Sequence, residues 1–177
     1  VTSALCPGYE ADDLFAGYTR QHKDKQYVIV TNDEDIYQLL NHNVAMWMLR
    51  KKPILFTVED FIDKYGIDPG QWATIKALGG CKSDNIPGLE NIGEKRALQW
   101  IRREASKKID DSIKSRVEEY LCWAEFTTLP WISTKFDLSL DPTEIDWDVF
   151  TKWGQIYNMK RFIIQYNEFR EAFDFNG

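Results

Sequence analysis

The chain has 177 residues, of which 44% are hydrophobic and 14% aromatic, and its formal net charge is −6 at pH 7. This length and composition predict one globular domain of ordinary size and exclude a disordered or fibrous protein. The sequence has neither an apolar run of transmembrane length nor a signal-peptide pattern, so we expect a cytoplasmic protein without a membrane partner.

The cysteine and histidine content narrows the kind of metal site that the chain can build. Its three cysteines, Cys6, Cys81 and Cys122, are widely spaced, which excludes a disulfide framework and a zinc cluster of CxxC type. With only two histidines in the chain, a metal ion would be held mainly by carboxylate oxygen. Such ligands favour Mg²⁺ or Mn²⁺ over zinc.

Apolar patterns in chain order predict an α/β fold. The expected elements are a helix near residues 10–22, a buried strand at 27–31, a helix from residue 35, strands at 44–49 and 54–57, helices at 58–66 and 69–80, a helix from residue 94, a helical run over 110–126 and an amphipathic tail over 147–173. We expect a short, mostly parallel sheet that leads into a helical region.

Acidic residues cluster at two places in the first half of the chain. Glu10, Asp12 and Asp13 fall within one helical turn, and Asp33 and Asp35 directly follow the first predicted strand. Close carboxylates repel each other unless a cation lies among them. The alternative is that these acids complement the dipole of a helix N-terminus or cap the helices that follow, as the Thr31 and Glu34 spacing also allows.

The stretch "CKSDNIPGLENIGEKRA" at 81–97 predicts a tight hairpin between two helices. Gly88 and Gly93 permit close backbone approach, Ile92 is an apolar anchor, and Lys95 and Arg96 add charge at the start of the second helix. This arrangement can bind phosphate oxygens through backbone N–H groups without reading base sequence. The alternative is a purely structural turn between packed helices.

Four segments together resemble the 5′-3′ exonuclease and flap endonuclease family, which includes the 5′-nuclease domain of bacterial DNA polymerase I and bacteriophage relatives. They are "GYEADD" at 8–13, "TNDEDIYQLL" at 31–40, "YGIDPGQW" at 65–72 and "GGCKSDNIPGLENIGEKRA" at 79–97. The resemblance implies a PIN-like or Rossmann-like parallel-sheet core, only partly present, over residues 1–78. A helix-hairpin-helix region and C-terminal helices follow over residues 79–177.

The resemblance also implies the roles of single residues. Those expected to hold two catalytic metal ions, Mg²⁺ or Mn²⁺, are Glu10, Asp12 and Asp13 for the first ion and Asp33, Asp35 and Asp84 for the second. The hairpin residues Gly88, Ile92, Gly93, Lys95 and Arg96 are expected to bind duplex DNA, in relatives around a K⁺ ion. The implied activity is two-metal hydrolysis of DNA that carries a 5′ end or flap, in replication and repair within a bacterial or phage-infected cell.

Two departures from the family pattern qualify this interpretation. Cys81 stands where the family has an aspartate, which should weaken the second metal site. The N-terminal third of the family, with its basic arch, has no counterpart in the sequence, so a separate N-terminal nuclease piece is an expected partner. The alternative function is a non-enzymatic module that binds duplex DNA through the hairpin.

Overall fold

The computed structural model describes residues 6–130 and 146–159. The helices are α1 (Ala11–Gln21), α2 (Val58–Tyr65), α3 (Trp72–Gly79), α4 (Glu94–Ile101), α5 (Lys107–Lys114), α6 (Val117–Thr127) and α7 (Trp147–Ile156). The strands are β1 (Tyr27–Val30), β2 (Val44–Met48) and β3 (Ile54–Phe56), and two 3₁₀ helices cover Glu34–Leu39 and Pro69–Gln71. The chain divides into two units, residues 6–137 and residues 1–5 with 138–177, and α7 belongs to the second.

The three strands form one sheet in the order β1-β2-β3. β1 and β2 are parallel, with Tyr27 opposite Val44, whereas β2 and β3 are antiparallel, with Met46 opposite Phe56. The expected mostly parallel sheet is thus parallel in one of its two pairs. Only residues 49–53 connect β2 to β3, and so short a connection cannot make the crossover that a parallel pair requires.

The element after β1 is a 3₁₀ helix rather than the expected α-helix. Asp33 precedes it in an extended conformation, and its carboxylate accepts a hydrogen bond of 3.0 Å from the Asp35 backbone N–H. Ile36, Tyr37 and Leu39 on this short helix are buried. The packing of these side chains fixes where Asp35 lies.

An aromatic cluster joins the first 3₁₀ helix to α2 and α3. Tyr37, Phe61 and Trp72 are fully buried. The ring centroids of Tyr37 and Trp72 are 5.3 Å apart, and those of Phe61 and Trp72 are 5.7 Å apart. Truncation of a buried aromatic side chain of this kind costs about 3–5 kcal/mol. The cluster therefore holds α3 firmly against the element that carries Asp35.

The predicted helix-hairpin-helix is confirmed, since α3 ends at Gly79 and α4 begins at Glu94. Within the connection, Cys81 and Ile86 exchange two backbone hydrogen bonds of 2.9 and 2.8 Å. Gly88 has φ +67°, and a Cβ atom added there would lie 2.3 Å from the Gly80 backbone nitrogen. Only glycine fits this position, because a side chain would be both strained and in collision with the backbone.

The C-terminal helical region differs in detail from the predicted pattern. The expected run over 110–126 is two helices, α5 and α6, that are separated at Ser115 and Arg116. The Arg116 guanidinium donates to Ser112 Oγ at 2.7 Å and to the Glu90 carbonyl at 3.3 Å, so this junction contacts the hairpin. The predicted amphipathic tail is helical over α7, and its remainder after residue 159 lies outside the described residues. In the described part of the chain no helix combines the length and the apolar character needed to cross a bilayer.

Candidate active site

One cavity of about 590 Å³ collects most of the acidic residues that the sequence singles out. It is bounded by the start of α1, the start of the first 3₁₀ helix, residues 83–86 and the C-terminal end of α6. Of the six predicted metal-binding acids, five line it: Glu10, Asp12, Asp13, Asp35 and Asp84. Asp33 is not among the lining residues and serves as the cap of the 3₁₀ helix. Acidic residues from three separate segments of the chain thus line one cavity.

The first cluster combines a capping role with a cavity-facing one. Asp13 is buried, and its carboxylate accepts a hydrogen bond of 3.3 Å from the Glu10 backbone N–H. Burial raises the pKa of Asp12, and the negative charges of Asp13 and Glu10 raise it further. A hydrogen bond from the Asp13 backbone N–H lowers the pKa of Asp12 but does not cancel these effects. Ionised Asp12 is therefore destabilised, as expected of a carboxylate whose site suits a cation.

Three potential ligand atoms, from the first 3₁₀ helix and the hairpin, come together on the side of Asp35. A carboxylate oxygen of Asp35, a carboxylate oxygen of Asp84 and the sulfur of Cys81 all lie within 4.8 Å of one another. One ion with ligand distances of about 2.1–2.5 Å can bridge atoms at such separations. The Cys81 side chain is mostly buried, and its sulfur lies 3.0 Å from Ser83 Oγ. The site thus offers two hard oxygen ligands and one soft thiol.

Lys76 is a residue of this site that the sequence analysis missed. Its Nζ lies 3.1 Å from Asp35 Oδ1, and both side chains are largely shielded from solvent. Burial raises the pKa of Asp35, Asp33 and Asp84 add to that effect, and Lys76 opposes it without cancelling it. The sequence signal for such a role was a single lysine, Lys76, in an otherwise uncharged and mostly apolar helix.

The hairpin exposes the chain backbone around Gly93. A Cβ atom added at Gly93 would meet nothing within 4 Å, so the backbone at the start of α4 is open on that side. The first N–H groups of a helix have no intrahelical partner and can bind an anion. The Arg96 guanidinium donates to the Asn91 carbonyl within the hairpin, whereas Ile92 is buried as an anchor. Lys95 is exposed.

Some of the basic residues that follow the hairpin make contacts within the protein. Arg102 donates through Nε to the Tyr65 carbonyl at 2.6 Å and so ties α4 to α2. Arg103, Lys107 and Lys114 instead line a cavity of about 650 Å³ beside Trp100. Asp110 lines the same cavity and pairs with Lys114 at 2.7 Å, so acidic and basic side chains alternate along this part of the chain.

Comparison with known proteins identifies relatives among 5′-3′ exonuclease domains and bacterial DNA polymerases I. Residues 1–66 match the model of the 5′-3′ exonuclease N-terminal resolvase-like domain. The thermostable DNA polymerase I of Thermus aquaticus is 37% identical over 147 residues, which cover 79% of this chain and 17% of that protein. The DNA polymerase I of Mycobacterium tuberculosis is 33% identical over 161 residues, which cover 79% of this chain and 18% of that protein. The chain thus spans less than a fifth of the length of these relatives.

Solved structures with a similar fold come from the T5 5′-exonuclease. The form with zinc bound has a TM-score of 0.62 at 23% identity and covers 71% of this chain and 52% of that one. A pseudo-enzyme-product complex of the bacteriophage T5 flap endonuclease with DNA and metal ions has a TM-score of 0.61 at 22% identity, with coverage of 71% and 52%. At these identities the likeness shows a shared fold.

Proposed function

Because the chain belongs to the 5′-3′ exonuclease and flap endonuclease family, we propose that it forms part of a structure-specific 5′ nuclease that hydrolyses DNA phosphodiesters. The observation that carries the proposal is the convergence of five family-matched carboxylates on one cavity. Acids that only cap separate helices need not lie close together. Acids that bind the same cations must do so.

The ligand chemistry favours two hard divalent cations, Mg²⁺ or Mn²⁺. Glu10, Asp12 and Asp13 would hold the first ion, and Asp35 and Asp84, with Asp33 nearby in sequence, would hold the second. When bound, such ions stabilise the charge that develops on the scissile phosphate and ease deprotonation of the attacking water. The raised pKa values of Asp12 and Asp35 support this assignment, since a cation would relieve the repulsion that contributes to them.

In this proposal the hairpin binds the DNA substrate. Backbone N–H groups near Gly93, together with Lys95 and Arg96, would contact phosphates of duplex DNA, with a K⁺ ion at the hairpin as in relatives of the family. Contacts of this kind carry no base information, so the protein would select DNA by structure, at a 5′ end or flap. The orientation of the duplex would then place a 5′ strand at the acidic cavity.

In this proposal, residues outside the 177-residue sequence also contribute to the metal site. The T5 structures are about twice as long as the part of them that this chain covers. We therefore propose that nuclease polypeptide beyond the 177 residues, in the same chain or as a second one, completes the site and raises activity.

A cleavage assay tests the proposed function. The protein that carries this sequence is given a 5′-flapped duplex with Mg²⁺, with Mn²⁺ and with EDTA, beside the Asp12→Asn variant. Metal-dependent cleavage that the variant lacks is the expected result. The rival function is a duplex-binding module without catalysis. It predicts that the protein binds duplex DNA but does not cleave it. It also predicts that calorimetry detects no Mn²⁺ binding that depends on Asp12.

A further inference from the structure

The acidic cavity has an aromatic wall that metal binding does not require. Trp123, Phe126 and Thr127 lie at helical i, i+3 and i+4 spacing on α6, and all three line the cavity together with Leu129. The Phe126 side chain is 56% exposed. A phenyl or indole ring offers no ligand for a hard cation, so these side chains have a different role in the site.

Hydrogen bonds fix this wall relative to the carboxylates. Gln38, on the same 3₁₀ helix as Asp35, donates to the Thr127 carbonyl at 3.0 Å and accepts from the Leu129 N–H at 2.8 Å. Arg20, on the same helix as Asp12, donates to the Leu129 carbonyl at 2.6 Å. The end of α6 is thereby tied to both elements that carry the acidic clusters.

Thr127 adds a further tie, because its hydroxyl donates to the Ala73 carbonyl of α3 at 2.9 Å. Each of these bonds joins segments that are at least 54 residues apart in the sequence. Because the backbone at the end of the helix that carries the two rings is held in place, less freedom is lost when a flat group stacks on them. The wall is therefore suited to binding and is more than a surface-exposed patch.

We propose that Phe126 and Trp123 form a stacking platform for the nucleobase of the nucleotide next to the scissile phosphate. The proposal rests on the proposed nuclease function and deepens it. A nucleobase has two flat faces that stack on aromatic side chains whatever its identity. The cavity of about 590 Å³ lies within the range of small-molecule sites and has room for a nucleotide. A base that stacks here has left the duplex, so the site would select an unpaired nucleotide.

Binding to a base-bearing and an abasic flap tests this platform. Two flapped duplexes that differ only at the first unpaired nucleotide are titrated by fluorescence anisotropy in Ca²⁺, which takes the same oxygen ligands. The wild-type protein should bind the base-bearing flap about tenfold more tightly. Phe126→Leu should bring the ratio close to one, whereas Phe126→Tyr, which keeps a ring, should retain it.

Leu121→Ala is the matched control, because Leu121 lies on the same helix, is 50% exposed and is not among the cavity-lining residues. It should keep the wild-type ratio, and Mn²⁺ affinity should be equal in all variants. Equal binding of the two flaps by the wild type, or an unchanged ratio in Phe126→Leu, would overturn the platform alone. Failure of the wild type to bind Mn²⁺ and flapped DNA at all would overturn the proposed function, and the platform with it.

Discussion

Lys76 and Asp35 form an ion pair beside the acidic cavity, with Lys76 Nζ 3.1 Å from Asp35 Oδ1. Burial lowers the pKa of Lys76, but the charge and hydrogen bond of Asp35 outweigh this effect and raise it, so the lysine remains protonated. The ammonium group occupies the position of a counterion for one of the predicted metal ligands. Lys76 and a divalent cation would therefore compete for the same carboxylate.

We expect Lys76→Met to lower stability in the absence of metal and to strengthen Mn²⁺ binding. Loss of the ammonium leaves the largely buried Asp35 carboxylate without its partner, at a cost of about 1–3 kcal/mol. Thermal unfolding in EDTA and in Mn²⁺, with calorimetric titration, measures both effects. Lys51→Met, at an exposed lysine, is the control and should change neither. Weaker Mn²⁺ binding by Lys76→Met would show that the lysine positions Asp35 rather than competing with the ion.

Asp12→Asn should stabilise the metal-free protein at neutral pH while it removes metal-dependent cleavage. Burial first and neighbouring charge second raise the folded-state pKa of Asp12 above its unfolded value, so ionisation of Asp12 opposes folding. This penalty is fully present above the folded pKa and disappears below the unfolded pKa of about 3.9. Asparagine keeps an oxygen to accept from the Asp13 N–H without the charge.

Unfolding curves of Asp12→Asn and wild type in EDTA between pH 4 and pH 8 test the sign of this effect. The gain in melting temperature should be largest at neutral pH and should shrink towards pH 4. Asp63→Asn, at an exposed position on α2, should leave both the melting curve and cleavage unchanged. A variant less stable than wild type at pH 7 would mean that the Asp12 carboxylate stabilises the fold.

Cys81→Asp should strengthen Mg²⁺ and Mn²⁺ binding by roughly tenfold and weaken binding of the thiophilic ion Cd²⁺. The reason is that the new carboxylate would join Asp35 and Asp84 in the cluster whose ligand atoms lie within 4.8 Å. Calorimetric titrations with the three ions provide the measurement. Cys122→Asp, at an exposed cysteine, is the control. Equal Mn²⁺ affinity in Cys81→Asp and wild type would exclude Cys81 from the second site.

Local patterns explain why much of the site was predictable from the sequence. The glycine at position 88 and the break between α3 and α4 follow from residues adjacent in the chain. The two acidic clusters are likewise local, and the family resemblance implied that they belong to one centre. Apolar patterns do not distinguish a 3₁₀ helix from an α-helix, and here the Asp33 cap begins a 3₁₀ helix. Nor do they give the direction of β3, which is antiparallel because its connection to β2 is short.

Contacts between distant segments explain what the sequence could not reveal. Lys76 meets Asp35 only because the buried cluster around Trp72 packs α3 on the first 3₁₀ helix. The aromatic wall of α6 reaches the acidic cavity through hydrogen bonds from Gln38 and Arg20, across 89 and 109 residues. Trp72 is fully buried in the core, whereas Trp123 lines the cavity, and the spacing of the tryptophans in the sequence does not distinguish these two positions.

Lys95→Ala should weaken binding to unrelated duplex sequences equally and lower the salt dependence of binding by about 0.9 in the log–log slope, as the loss of one phosphate contact does. Lys95 is exposed, so its replacement should leave the melting temperature unchanged. Arg96→Ala should weaken binding similarly but should also loosen the hairpin, because Arg96 donates to the Asn91 carbonyl. Lys51→Ala is the control. Altered base preference with an unchanged salt slope would contradict a backbone contact.

The two hairpin glycines should respond oppositely to alanine. Gly88→Ala places a Cβ atom 2.3 Å from the Gly80 nitrogen at φ +67° and should destabilise the fold by roughly 2 kcal/mol or more. Gly93→Ala meets no atom within 4 Å at an ordinary φ of −97°, and it should cost less than about 1 kcal/mol. A methyl group at Gly93 would nevertheless stand where a phosphate must approach the start of α4.

We therefore expect Gly93→Ala to bind duplex DNA about tenfold more weakly with little change in melting temperature, since one backbone–phosphate hydrogen bond is lost. Gly88→Ala should show the opposite pattern, in which the melting temperature falls more clearly than the affinity for duplex DNA. Thermal unfolding and anisotropy titration of both variants, at one salt concentration, separate the two effects. If Gly93→Ala bound DNA as tightly as wild type, the start of α4 would not be the phosphate site, and the glycine at position 93 would have no role in DNA binding.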